Sequence, residues 1–207
     1  MFDKLFIRRI FDFAPVYTTF QNMIGKKNAR ADFFKQYIGD TTGKRILDLG
    51  CGTANILEHI HDEKEYVGID FSDKYIEAAK KRFEGRKTSK FYNIDLNEYS
   101  RTTTDKFDIV LMIGVLHHIS DAEVEQVMTS IKRIIADGGV FISHDPCFTK
   151  KMNPIAKLLC MLDRGRYVRN VDEYVATQKK YWNNVKYDIR TDILVLPYSV
   201  IIFTNKN

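Results

Sequence analysis

Cysteine is scarce in this chain: Cys51, Cys147 and Cys160 are the only three in 207 residues. So small and odd a set excludes a disulfide framework and fits a reducing compartment. There is no CxxC pair, and His59/His61 and His117/His118 stand at no recognised ligand spacing, so no metal is expected. No apolar run is long enough to span a bilayer, and the start lacks a small-residue cleavage site. A cytoplasmic protein is the expectation. Internal repeats, low-complexity tracts and linkers are also missing. That leaves a single domain, 1–207, of ordinary size.

Charge of one sign does not dominate. The net charge is +5, with basic residues scattered rather than blocked. This permits an anionic small-molecule partner without requiring one. No RNA-binding signature or aromatic–basic platform is readable, so no nucleic-acid partner is expected. Oligomeric state is not written in the sequence.

What is present is an alternation of strands and helices from Lys44 onward. Residues 45–49, 66–69, 91–94, 107–113 and 140–143 read as strands, the fourth almost wholly apolar. A helix is expected over 54–60. Another starts after Ser72, with Ile76, Ala79 and Phe83 as its apolar face. Ser120 and Glu123 make a capping-box pattern ahead of Val124, Val127, Met128, Ile131, Ile134 and Ile135. Asp137-Gly138-Gly139 should end that helix. Continuous apolar strands alternating with amphipathic helices predict a parallel sheet covered on both faces. Residues 185–189 and 199–204 have no helix between them and predict an antiparallel hairpin on the sheet edge. We divide the chain into an N-terminal helical lid (1–43), a core (44–146), a helical insertion capping the substrate (147–182) and the hairpin (183–207).

The segment LDLGCGTANIL, 47–57, sets a glycine turn where a parallel strand meets a helix. Ligands of open α/β sheets bind at that edge, and glycine lets a ligand lie against the main chain. A nicotinamide-type fingerprint also begins G-x-G, but it needs a third small residue where Asn55 stands. It also lacks an acid such as Asp48 inside the turn. A carboxylate there would repel a pyrophosphate and suit a ligand carrying an ammonium group. Asp70 ends the next strand, where ribose hydroxyls are usually held. Asp95 follows the third strand and can accept from an adenine amino group, with Ile94 or Leu96 against the ring. Each acid alone is also a helix cap. All three in register describe an adenosine with a cationic tail.

In order, LDLGCGTAN, YVGIDFS, NIDL, FDIVLMIGVLHHI and IIADGGVFISHDP resemble the motifs of the class I S-adenosylmethionine-dependent methyltransferases. The resemblance covers 44–146, and the closing hairpin fits the same fold. It implies a Rossmann-like, doubly wound, seven-stranded, mostly parallel sheet with the last strand antiparallel, plus N-terminal and inserted helical caps. It implies S-adenosyl-L-methionine as cofactor and S-adenosyl-L-homocysteine as product. Asp48, Gly50 and Gly52 would hold the methionine end, with Gly114 beside it. Asp70 would hold the ribose and Asn93-Ile94-Asp95-Leu96 the adenine, with Cys51, Phe71 and Ser72 also counted as cofactor-binding. Tyr17 would cover the ligand. The departure is Ala54, where the motif usually has a third glycine.

Methyl transfer needs alignment, exclusion of water and, for a hydroxyl acceptor, a base. His117, Asp145 and Tyr198 are the catalytic candidates. His118, Arg164, Arg166 and Arg169 are candidate substrate ligands, arginine being suited to carboxylates and phosphates. Together with Pro15-Val16-Tyr17 and Gln21, these features are similar to a bacterial subgroup found with surface-glycan genes. The expected reaction is methyl transfer to an oxygen or nitrogen of a polar small molecule or sugar intermediate. The alternatives are a membrane-associated lipid or quinone acceptor, a non-catalytic cofactor-binding subunit, and a nicotinamide-dependent oxidoreductase. Phe2, Leu5, Phe6 and Ile10 with Lys4, Arg8 and Arg9 could rest on anionic lipid, but a lid on its own domain is the simpler reading.

Overall fold

The structure is a computed structural model. It describes residues 29–150, 152–162, 166–192 and 199–207. The expectations for the segment 1–28, Tyr17 among them, lie outside these residues, as do those for Arg164 and Tyr198.

Seven strands form one sheet: β1 (Arg45–Leu49), β2 (Glu65–Ile69), β3 (Ser89–Tyr92), β4 (Phe107–Ile113), β5 (Ile135–Pro146), β6 (Tyr187–Arg190) and β7 (Val200–Lys206). Their order is β3-β2-β1-β4-β5-β7-β6. β1 to β5 pair in parallel, and β7 runs antiparallel to both β5 and β6. The described helices are α1 (Ala29–Phe33), α2 (Asp73–Arg82), α3 (Leu96–Thr102), α4 (Asp121–Ile134), α5 (Pro154–Leu162) and α6 (Val171–Lys179).

Strand alternation divides the core in two. In β1, Leu47 and Leu49 face a cluster with Val124, Met128 and Ile131 of α4 and with Tyr174 and Trp182. Ile46 faces the other cluster, with Phe33, Leu57, Ile76 and Ala79. Period-2 side chains and covering helices on both faces produce this division directly.

Several boundaries differ from the sequence expectation. The helix expected at 54–60 is a 3₁₀ turn, Asn55–His59, following Ala54 in the left-handed region (φ 55°, ψ 43°). That conformation costs a residue with a Cβ about 1–2 kcal/mol. Ala54 is fully buried, so packing offsets part of the cost. Helix α3 was not foreseen. α4 ends at Ile134, earlier than Asp137-Gly138-Gly139. Ile135 already pairs with Phe107, and pairing resumes at Val140 with Ile109, so 136–139 loops out of β5. The hairpin is present, with β6 beginning at Tyr187.

Strands β1 to β3 build outward in one direction, and β4 returns to the other side of β1. The order therefore reverses between β1 and β4, and the carboxyl ends of those strands frame a crevice.

Candidate active site

The glycine turn leaves β1 at that crevice. Gly50 (φ 71°) and Gly52 (φ 54°) are both left-handed. A Cβ on Gly50 would stand 2.5 Å from Val115 Cγ2, whereas one on Gly52 would meet nothing within 4 Å. Glycine at 50 thus lets β1 close on the loop after β4. Glycine at 52 bares main chain to open space, the cradle a nucleoside-bearing cofactor requires.

Asp70 latches this turn to β2. Its Oδ2 accepts from the Gly52 N–H (2.9 Å) and its Oδ1 from the Ser72 N–H (2.8 Å). The Gly50 and Cys51 N–H groups donate to Ile69 O. Asn93 Nδ2 donates to Asp70 O (3.1 Å). Burial raises the Asp70 carboxyl above its ordinary value, and the main-chain N–H groups of Ser72, Gly52 and Phe71 counter that. Each carboxylate oxygen still has a lone pair, so the latch and a diol can share it. Phe71 is about one-third exposed beside it, and Ser72 caps α2 through Tyr75 N–H.

Asp48 is 3% exposed, and its Oδ2 accepts from the Tyr66 hydroxyl (2.6 Å). Burial pushes its carboxyl up to about 7; the Tyr66 bond opposes this and Asp70 adds to it. Tyr66 gave no sign of this role in the sequence, where an aromatic residue in a strand reads as core. Burial also raises the Cys51 thiol, which marks it as a packing group rather than a nucleophile.

Around the adenine candidates the structure narrows the choice. Asp95 Oδ1 accepts from Asn97 and Glu98 N–H, capping α3. Leu96 is buried in the core, a correction to its expected place on a ring face, and Ile94 is partly buried beside it.

The loop after β4 carries the second half of the site. Gly114 is left-handed (φ 72°), and its N–H donates to His144 O (2.7 Å). The 3₁₀ turn Leu116–His118 follows. His117 Nδ1 lies 2.8 Å from Asp145 Oδ1, which also accepts the His117 main-chain N–H (3.2 Å). Both side chains are 1% exposed. His117 Nε2 and Asp145 Oδ2 are buried and have no hydrogen-bond partner among the described residues. His118 is half-buried and packs on His117, ring centroids 4.0 Å apart.

Arg169 corrects one expectation. Its Nε and Nη2 donate to Asp121 Oδ1, its Nη1 to Leu116 O and Tyr167 O, and its Nη2 also to Ile119 O. All the N–H donors of a guanidinium are thereby occupied. Arg169 is a clamp on the histidine turn, not a free ligand for substrate. Arg166 is exposed at the surface.

A glycine turn at the switch point, with acids ending β1 and β2, defines a Rossmann-like domain built to hold an adenosine-bearing cofactor. Comparison with known proteins agrees. A family model described as "Methyltransferase domain" matches residues 47–141. A ubiquinone biosynthesis O-methyltransferase of Aeromonas salmonicida is 28% identical over 155 residues, covering 73% of this chain and 62% of its own length. A demethylmenaquinone methyltransferase of Lactobacillus johnsonii is 30% identical, covering 70% and 61% respectively. The chain thus spans about three-fifths of the length of these curated relatives. A phosphoethanolamine N-methyltransferase 2 of Haemonchus contortus, solved with phosphomonomethylethanolamine and S-adenosylhomocysteine, superposes with a TM-score of 0.70 at 16% identity. That match covers 87% of this chain and 52% of the other, and it shows the shared fold. The family-model match and the curated relatives support a class I S-adenosylmethionine-dependent methyltransferase, a class whose cofactor is S-adenosylmethionine, and the solved structure shares its fold.

Proposed function

We propose that this chain transfers the methyl group of S-adenosylmethionine to an oxygen or nitrogen of a small acceptor lying beyond the carboxyl ends of β4 and β5. The observation that carries this reading is a juxtaposition at one sheet edge. The open glycine turn latched by Asp70 stands beside the buried His117–Asp145 pair with its two unpartnered polar atoms.

When bound, the cofactor supplies an electrophilic methyl group on a sulfonium sulfur. The chain's part is alignment and proton handling. Asp70 orients a ribose diol, and Asp48 faces the amino-acid end with a carboxyl that can ionise to meet an ammonium. Asp145 accepts the His117 Nδ1–H, which leaves the lone pair on Nε2 to take the proton of an acceptor hydroxyl.

Calorimetry with S-adenosylmethionine and S-adenosylhomocysteine tests the reading. Wild type should bind both in the micromolar range, and Asp70→Ala should lose at least roughly tenfold in affinity, as expected when a buried polar partner is removed. No binding by wild type would sink it. His117→Gln should leave cofactor affinity intact. With a hydroxyl acceptor found by screening for S-adenosylhomocysteine release, it should lower kcat by roughly 100-fold or more. An unchanged kcat would reduce His117 to a packing residue.

A second reading takes a lipid or quinone acceptor. One curated relative is named for ubiquinone biosynthesis and the other for demethylmenaquinone, and α5 leaves Ile155, Leu158 and Met161 more than half exposed. No helix among the described residues is long and apolar enough to cross a membrane.

A further inference from the structure

A cavity of about 520 Å³ opens just past the end of β5, between the loop that follows it, α5 and the start of α6. It is half open to solvent, a cleft rather than an enclosed pocket, and its volume lies within the range of small-molecule sites. Phe148, Met152 and Met161 give it apolar walls, and Lys150 and Lys157 give it cations. The segment 146–148 links it directly to Asp145. The Phe148 N–H donates to Arg169 O (3.1 Å), so the floor of the cavity hangs from the same residue that clamps the histidine turn.

The charges in this cavity are unevenly committed. Its acid, Glu173, is tied into the capping box of α6: Glu173 Oε2 accepts the Asn170 N–H (2.8 Å) and Asn170 Oδ1 the Glu173 N–H (2.9 Å). Among the described residues, neither lysine has a carboxylate within ion-pair distance, and α5 contains no acid. The apolar wall continues at Met161 into the exposed stripe of Leu158 and Ile155. A ligand that satisfies all of this has an apolar body and an anionic group. The two solvent-facing lysines favour an anionic group electrostatically, and a wholly hydrophilic anion would leave the methionines and Phe148 wet.

We propose that this cavity is the docking site of the methyl acceptor, and that the acceptor is an amphiphilic anion, a carboxylate or phosphate on an apolar body. The assignment to the acceptor rests on the methyl-transfer reading; the ligand chemistry rests on the cavity alone. The probe is decanoate, with 1-decanol as its uncharged counterpart, titrated by calorimetry into the full chain with and without S-adenosylhomocysteine. Decanoate should bind at least tenfold more tightly than decanol. Lys150→Glu combined with Lys157→Glu should remove that preference, and Met161→Asp should weaken both probes. These three positions are exposed, and none belongs to the cofactor site, so S-adenosylhomocysteine should bind every variant as it binds wild type.

Equal affinity for the two probes, or a decanoate affinity unmoved by the double charge reversal, overturns the proposal even where S-adenosylhomocysteine binds normally. Failure of S-adenosylhomocysteine to bind wild type instead overturns the methyl-transfer reading and the acceptor assignment with it. Binding to phosphatidylglycerol vesicles without any binding of soluble decanoate would also overturn the proposal, because the lysines and the α5 stripe would then rest on a bilayer and the cavity would hold nothing.

Discussion

Replacing Arg169 with alanine should lower stability by about 3 kcal/mol, the scale seen when a buried charged hydrogen-bonding group is removed. The guanidinium holds three main-chain carbonyls, those of Leu116, Ile119 and Tyr167, together with the Asp121 carboxylate. Most of the loss comes from the carbonyls. The Asp121 side chain is 87% exposed, so water replaces that half of the pair. Asp121→Ala should therefore cost less than about 1 kcal/mol. Arg169→Lys should fall between, because an ammonium cannot reproduce the planar fork. Urea denaturation of the three variants checks the order, and equal losses in Arg169→Ala and Asp121→Ala would refute it. Amide exchange in residues 115–120 should quicken in Arg169→Ala, since the turn carrying His117 loses its clamp.

The second large effect belongs to Asp48. Its folded value, about 7, lies above the ordinary 3.8 because the carboxyl is buried. The sign follows from this. The protonated form is the one the fold favours, so the stability linked to this group is full below about pH 4. It fades as pH rises and is gone once pH passes the folded value. Ionised Asp48 therefore costs the unliganded protein about 4 kcal/mol at most. Asp48→Asn should be the more stable protein at pH 8 by a few kcal/mol by that reckoning and close to wild type at pH 4. Tyr66 still finds an amide oxygen to donate to. Cofactor affinity should move the other way, because an amide gives an ammonium no counter-charge. Thermal melts at the two pH values and calorimetry at pH 8 test both halves. In wild type, binding of a cationic amino-acid group near pH 7 should release a proton. Calorimetry in buffers of different ionisation enthalpy would read it.

These two residues also show what a sequence can and cannot disclose here. The parallel core was legible because each buried strand is a short apolar run ending near an acid or a glycine, and the covering helices carry a clear apolar face. Asp48 and Asp70 stood out because charged residues at the ends of apolar strands need an explanation. Arg169 did not stand out. It shares a short basic stretch with Arg164 and Arg166, and only the carbonyls brought to it from residues 116–119 make it structural. The partnership of Tyr66 with Asp48 was hidden for the same reason, since it depends on the register that lays β2 against β1. Helix α3 was missed because it buries only Leu96 and Ser100, too few positions to show a period. Asp95, its cap, offered a ligand reading that drew attention away from the helix. The left-handed Ala54 could be suspected from its place in the glycine motif, but its full burial could not.

The order of the last three strands in the sheet bears on how the protein is made. β7 is translated after β6 yet lies between β5 and β6. While the ribosome is still building residues 191–199, β6 has no strand to pair with. The long edge of β5, from Val140 to Pro146, is open along its whole length. An unpaired edge of this kind invites pairing with another nascent chain. The edge of β5 is covered only when Val200–Lys206 slides into the gap and pairs with both neighbours at once.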